Sequence, residues 1–172
     1  TWATIRSRRY PGIRIGLGRK TISNLRKTTA KTFLSEVHPL LGVVEERDFR
    51  YSAIVDPGIY YSNGSSVLLL DLAPAPSDPD YDNLGSLNLT DVIIEEAGEV
   101  VREAAKTISS RRNRWLCREY GIVGKVIYTC NPTTNFIREE FYDPYVAAGG
   151  GDYQTWEFCN DEGRPAMVDL PD

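Results

Sequence analysis

The feature that most constrains this chain is a short apolar run that ends in two adjacent acids: residues 91–97 read D-V-I-I-E-E-A. Its β-branched centre favours an extended backbone. Along a strand, neighbouring side chains point to opposite faces, so Glu95 and Glu96 at its carboxyl end do not simply repeat one contact. They can divide labour. In phosphoryl-transfer sites one acid at such a tip holds Mg²⁺, and a second beside it orients the attacking water. The plainer alternative is a strand that leaves a core and meets a solvated helix start, where acids are favoured in any case.

Residues 125–132 read K-V-I-Y-T-C-N-P, a second short β run that ends in small polar groups and a proline. Thr129 and Asn131 carry side chains that sense a phosphate or a water by hydrogen bonding, and Pro132 stops the strand. Between the two runs, residues 97–114 have helical spacing, with Val100, Val101, Ala104, Ala105 and Ile108 on one apolar face. Strand, crossover helix and strand make a βαβ unit, and the carboxyl edge of such a sheet is where ligands bind. Both polar tips belong on that edge.

Five segments in order complete a pattern: Y-P-G-I-R-I-G-L-G-R-K-T from Tyr10, D-L-A-P-A-P-S-D-P-D-Y-D-N-L-G-S from Asp71, V-I-I-E-E-A-G-E-V from Val92, T-C-N-P-T-T-N-F from Thr129 and R-E-E-F-Y from Arg138. In order and spacing they resemble the ATPase domain of the large terminase subunit, the DNA-packaging motor of tailed bacteriophages. The resemblance runs from about Tyr10 to Trp156. It implies that Glu95 and Glu96 are the Walker B pair, with Glu95 on the metal side and Glu96 the catalytic carboxylate. It implies that Thr129, Cys130, Asn131 and Pro132 form the motif that couples hydrolysis to DNA movement. ATP and Mg²⁺ would be the cofactors. The partners it implies are double-stranded DNA, the portal protein, the terminase small subunit and other copies in a ring, at the procapsid portal in the host cytoplasm. One departure is that the family's metal-side acid is commonly Asp, so Glu95 is longer by a methylene.

A phosphate loop needs glycines where backbone approaches the phosphates, followed by Lys and Ser or Thr, in the pattern G-x-x-x-x-G-K-[ST]. No segment matches; in the nearest, R-I-G-L-G-R-K-T, Arg14 and Arg19 occupy both glycine positions. By the resemblance, the expectation is a fragment that begins just after its phosphate loop and stops before a nuclease domain. Residues 1–9 then read as the end of a helix, with Trp2 and Ile5 on one side. The whole of residues 1–172 is expected to form one domain.

Residues 13–17 read as a buried strand followed at once by Arg19 and Lys20, and then by a helix over residues 23–37. A guanidinium at a strand's carboxyl edge can approach a γ-phosphate as an arginine finger, in its own subunit or the next. Arg19 is the first candidate and Lys20 the second, against a structural ion pair or a DNA phosphate contact. The formal net charge of −4 argues against general DNA affinity. Residues 1–31 nevertheless hold nine basic side chains and no acid, and Arg111, Arg112, Arg114 and Arg118 form a second cluster. These read equally as solvated faces or as DNA and subunit contacts.

The remainder is scaffold. Residues 47–55, 58–61 and 65–72 read as strands separated by the turn signals Asp56-Pro57-Gly58 and Asn63-Gly64, so they form an antiparallel meander that delivers its last strand to the main sheet. Residues 73–83, with Pro74, Pro76 and Pro79, are an irregular loop. No apolar run approaches a membrane span. Cys117, Cys130 and Cys159 suggest neither a disulfide framework nor a metal knuckle, and His38, before Pro39, reads as a cap or surface residue. The expected fold is α/β, with a mostly parallel central sheet of the P-loop additional-strand type, flanking helices and a small antiparallel meander. The alternative to a motor is a non-catalytic α/β binding or assembly module that keeps the acids for structure.

Overall fold

The computed structural model describes residues 1–131, 134–147 and 149, and the backbone of two short strands at 156–157 and 166–167. The chain divides into two compact units, Thr1–Cys130 and Asn131–Asp172.

The first unit is built on a six-stranded sheet. It contains β1 (Arg14–Arg19), β2 (Phe49–Ser52), β3 (Gly58–Tyr61), β4 (Ser66–Asp71), β5 (Asp91–Ile94) and β6 (Val126–Tyr128), in the order β2-β3-β4-β1-β5-β6. Strands β4, β1, β5 and β6 are parallel, and β2 and β3 add the antiparallel meander. This is the expected α/β architecture, with the meander feeding β4 into the parallel sheet. Gly64, at φ +85°, supplies the left-handed residue of the Asn63-Gly64 turn.

β1 lies at the centre because it can be covered on both sides. Ile15 and Leu17 are buried on one face. On the other, a Cβ on Gly16 would stand 2.8 Å from Leu89 Cδ1, and one on Gly18 would stand 2.7 Å from Leu72 Cδ1. Those glycines make room for leucines from neighbouring segments. Residues 14–19 are therefore strand, and the segment nearest to a phosphate-loop pattern is a packed sheet centre.

The Ile15 and Leu17 face is covered by α1 (Trp2–Arg9) and by a helical run that begins as α2 (Ile22–Leu25), passes through π-turns at Arg26–Ala30 and Phe33–Val37 and ends as α3 (His38–Leu40). The run is longer at both ends than the predicted helix over residues 23–37. α1 buries Ala3, Thr4 and Ser7 and lays the half-buried Trp2 against the core, whereas Ile5 is exposed. Ser7 O accepts hydrogen bonds from Asn63 Nδ2 (2.8 Å) and Ser65 Oγ (2.9 Å). A second tie is ionic: Arg6 donates through Nε (2.8 Å) and Nη2 (3.2 Å) to Asp91, a fully buried carboxylate at the start of β5.

His38 is also buried. Its Nε2 lies 3.0 Å from Tyr61 Oη, and its ring meets Phe49 edge-on at 4.3 Å. The sequence reading of a cap or surface residue fails because the helical run continues through Pro39 and turns the imidazole into an aromatic cluster.

After β4 the chain runs through the irregular proline-rich segment to α4 (Asp82–Gly85) and then β5. The crossover from β5 to β6 contains a 3₁₀ turn (Ala97–Glu99), α5 (Arg102–Ser109) and α6 (Cys117–Tyr120). α5 buries Ala104, Ala105 and Ile108, whereas Val101 precedes the helix and is exposed, so the regular helix is shorter than the periodicity over residues 97–114 predicts. No helix among the described residues is long and apolar enough to cross a membrane.

In the second unit, a π-turn at Arg138–Tyr142 leads into α7 (Asp143–Ala147), with Arg138 Nε donating to Asp143 Oδ1 at 3.1 Å. β7 (Trp156–Glu157) and β8 (Ala166–Met167) pair antiparallel.

Candidate functional site

The pleat and the register together build the site. Leu17 of β1 lies beside Ile93 of β5 in the parallel ladder. Two residues further along each strand the same face carries Arg19 and Glu95. Glu95 N still donates to Gly18 O (2.8 Å), so the ladder holds the acid's backbone to the strand that carries the arginine. Arg19 Nη1 stands 3.5 Å from Glu95 Oε2, with both side chains mostly buried.

The helical run above this face supplies two hydroxyls. Its first π-turn places Thr28 and Thr29 over the strand ends. Thr29 Oγ1 donates to Glu95 Oε1, while Arg19 Nη1 donates to Thr28 Oγ1 (3.1 Å), whose own proton goes to Asn24 O (2.9 Å). Glu95 Oε2 and Arg19 Nε are buried atoms with no hydrogen-bond partner among the described residues. π-turns are frequent at functional sites. The sequence reading missed both threonines, because the apolar period that marks a helix says nothing of a π-turn within it.

Glu96 is held differently. It adopts a left-handed backbone, φ 48° and ψ 48°, at the start of the 3₁₀ turn. For a residue with a Cβ this costs about 1–3 kcal/mol. The turn is fixed on both sides: Glu99 N donates to Glu96 O (2.8 Å), and Ala97 N donates to Thr129 O (2.9 Å) at the end of β6. Thr129 N in turn donates to Ile94 O (3.0 Å). The two polar tips read from the sequence are thus joined by main chain. Desolvation, and then the Glu96 carboxylate, push the Cys130 thiol up from its ordinary value.

Of the predicted site residues, Arg19, Glu95, Glu96 and Thr129 lie together on the carboxyl edge. Lys20 is an exposed residue of the turn after β1, and Asn131 is exposed at the start of the second unit. Pro132, the last member of the predicted coupling motif, lies outside the described residues. Much of the first basic cluster is engaged inside the fold: Arg6 on Asp91, Arg14 stacked 3.6 Å from the centre of the Trp115 ring, Arg19 on Glu95.

Among the described residues no three His, Cys, Asp or Glu side chains converge on a metal position. A lone carboxylate suits Mg²⁺, which keeps most of its waters and takes one or two carboxylates together with substrate phosphates. The orphaned Oε2 of Glu95 therefore fits a divalent cation. The backbone between Arg14 and Thr21 does not fit a phosphate cradle, since it is strand followed by the cap of α2.

No protein-family model matches this sequence, and no curated protein does. Solved structures do. The large terminase of a thermophilic bacteriophage superposes with a TM-score of 0.56 at 15% identity, over 85% of this chain and 33% of that one. The same terminase in complex with ADP gives 0.55 at 15% identity. The likeness is one of fold. The chain spans about a third of the length of the large terminase that it matches.

Proposed function

We propose that this chain is part of the ATP-hydrolysing motor that packages viral double-stranded DNA into a procapsid, and that it carries the Walker B and coupling motifs of that motor and no phosphate loop. The supporting observation is the pair of consecutive carboxylates at the carboxyl end of β5, set apart by their surroundings. Glu95 is fixed from above by Thr29 and from the side by Arg19, whereas Glu96 follows it on a left-handed backbone at the start of the 3₁₀ turn. Fold likeness to a large terminase, one form of which was solved with ADP, agrees with this reading.

In the proposal Glu95 holds the cation, which when bound neutralises charge on phosphate oxygens. Glu96 orients the attacking water and accepts its proton. Thr129 and Asn131 report on the phosphate, and Arg19 and Lys20 are the basic groups of the edge. Double-stranded DNA, the portal protein, the terminase small subunit and further copies in a ring are the proposed partners, at the procapsid portal in the host cytoplasm.

The test is a pair of substitutions in the intact motor. Glu96→Gln is expected to keep ATP binding and abolish turnover, since the amide is nearly isosteric but cannot take a proton as a carboxylate does. Glu95→Ala is expected to weaken Mg²⁺-dependent ATP binding. Equal losses of affinity in both variants with turnover unchanged would refute the division of labour.

A further inference from the structure

A guanidinium stands against the one carboxylate oxygen that would face a cation. Glu95 Oε1 is already taken by the Thr29 hydroxyl. Oε2 accepts no hydrogen bond from any described residue, and Arg19 Nη1 lies 3.5 Å from it. Arg19 is not a passing contact. The same Nη1 is anchored to Thr28 Oγ1 at 3.1 Å, and Thr28 is anchored to the helix backbone through Asn24 O. Its Nε is buried without a partner among the described residues, so the guanidinium is held by one end while part of its donor capacity is unused. A buried charge of this kind leaves its place when a better-satisfied arrangement is offered.

We infer that Arg19 is the resident counter-ion of Glu95 and competes with a divalent cation for Oε2, with Thr29 as the positioning residue that keeps this oxygen turned toward the shared position. This rests on the reading of Glu95 as the cation-holding acid. Two positive charges cannot share one carboxylate oxygen at contact distance without strong repulsion. Cation binding therefore expels the guanidinium, and the Thr28 hydroxyl sets how tightly it is retained. Before a cation arrives the Glu95 carboxylate is neutralised by the chain itself, and Arg19 becomes free to meet a phosphate only once the cation is bound.

The experiment titrates the chain with Mn²⁺ alone, without nucleotide, and reads bound metal by water-proton relaxation. Far-UV circular dichroism confirms that each variant is folded. Arg19→Met is expected to bind Mn²⁺ at least about tenfold more tightly than the unmodified chain. Arg19→Lys, which keeps the charge, is expected to stay within about threefold of it. Thr28→Val, which removes only the anchor, is expected to tighten binding by an intermediate factor and serves if Arg19→Met does not fold. Thr29→Val is expected to weaken it. Glu95→Gln is expected to abolish binding both alone and combined with Arg19→Met.

Unchanged, weaker or undetectable Mn²⁺ binding by folded Arg19→Met, while Glu95→Gln abolishes the binding seen in the unmodified chain, would overturn the inference and leave Glu95 as the cation site. Tighter binding by Arg19→Met that persists when Glu95→Gln is added would instead place the cation elsewhere, and would overturn both the inference and the reading it rests on.

Discussion

Replacing Arg6 by Ala removes the partner of Asp91, the most deeply buried charge among the described residues. Asp91 is fully inaccessible, and its carboxylate receives three hydrogen bonds: two from the Arg6 guanidinium, at 2.8 and 3.2 Å, and one from Lys125 N at 2.8 Å. Without Arg6 the described residues leave the carboxylate only the bond from Lys125 N. Removing one member of a buried pair costs about 3–5 kcal/mol, because the charge left behind is uncompensated. The guanidinium also lies 5.3 Å from the ring centres of Trp2 and Tyr10 and donates to Val123 O at 3.1 Å, so the upper half of that range applies. For a chain of this size the loss corresponds to a drop in melting temperature of roughly 8–20 °C. Arg6→Lys keeps the charge but not the fork, and is expected to lose roughly half as much. Urea unfolding followed by tryptophan fluorescence measures both. A loss below about 1 kcal/mol for Arg6→Ala would refute the reasoning, since a carboxylate so placed cannot be that indifferent to its partner.

Further outcomes are specific to single residues. Glu96→Gly, which relieves a left-handed backbone in a residue with a Cβ, is expected to raise stability to urea by about 0.5–1 kcal/mol, and a loss would show that the Glu96 side chain makes contacts that outweigh its strain. Burial pushes the His38 imidazole down to about 4, so the unfolded chain binds a proton near pH 6.5 that the native fold refuses. The resulting stability is complete above pH 6.5 and is lost as pH falls toward 4, by up to about 1.4 kcal/mol per pH unit; identical pH profiles for His38→Gln and the unmodified chain would contradict this. The 172-residue chain alone is expected to hydrolyse ATP negligibly, for want of a phosphate cradle between Arg14 and Thr21, and motor-like turnover that Glu96→Gln abolishes would demand a different phosphate site.

The sheet was legible in the sequence where burial is two-sided or a turn is forced. The runs that became β1, β4, β5 and β6 are short and apolar, and Asn63-Gly64 marks the meander. Arg19 and Glu95 were both singled out, but their meeting was not, because it depends on the register in which Leu17 aligns with Ile93, and register is a property of two strands. Thr28 and Thr29 were invisible for a related reason: a π-turn is imposed by packing against the sheet and leaves no hydrophobic period of its own. His38 was misread because Pro39 suggested an end, while the fold tolerates proline in the first turn of a new helical segment. The left-handed Glu96 carries no compositional sign at all, since the usual mark of that conformation is a glycine.

The place of β1 in the sheet also governs when the protein can form. Arg14 aligns with Ser66 and Ile15 with Asp91, so the central strand is made early and its two neighbours much later. At ordinary rates of synthesis the interval between the end of β1 and the end of β5 is roughly 4–15 s. Throughout that time an apolar segment meant for the middle of a sheet has no complete set of neighbours. Such long-range pairings make folding slow and expose the nascent chain to wrong partners. A ribosome that pauses before β5 has emerged from it would hold the chain in the state most open to aggregation, and once β5 has emerged β1 has both of its neighbours.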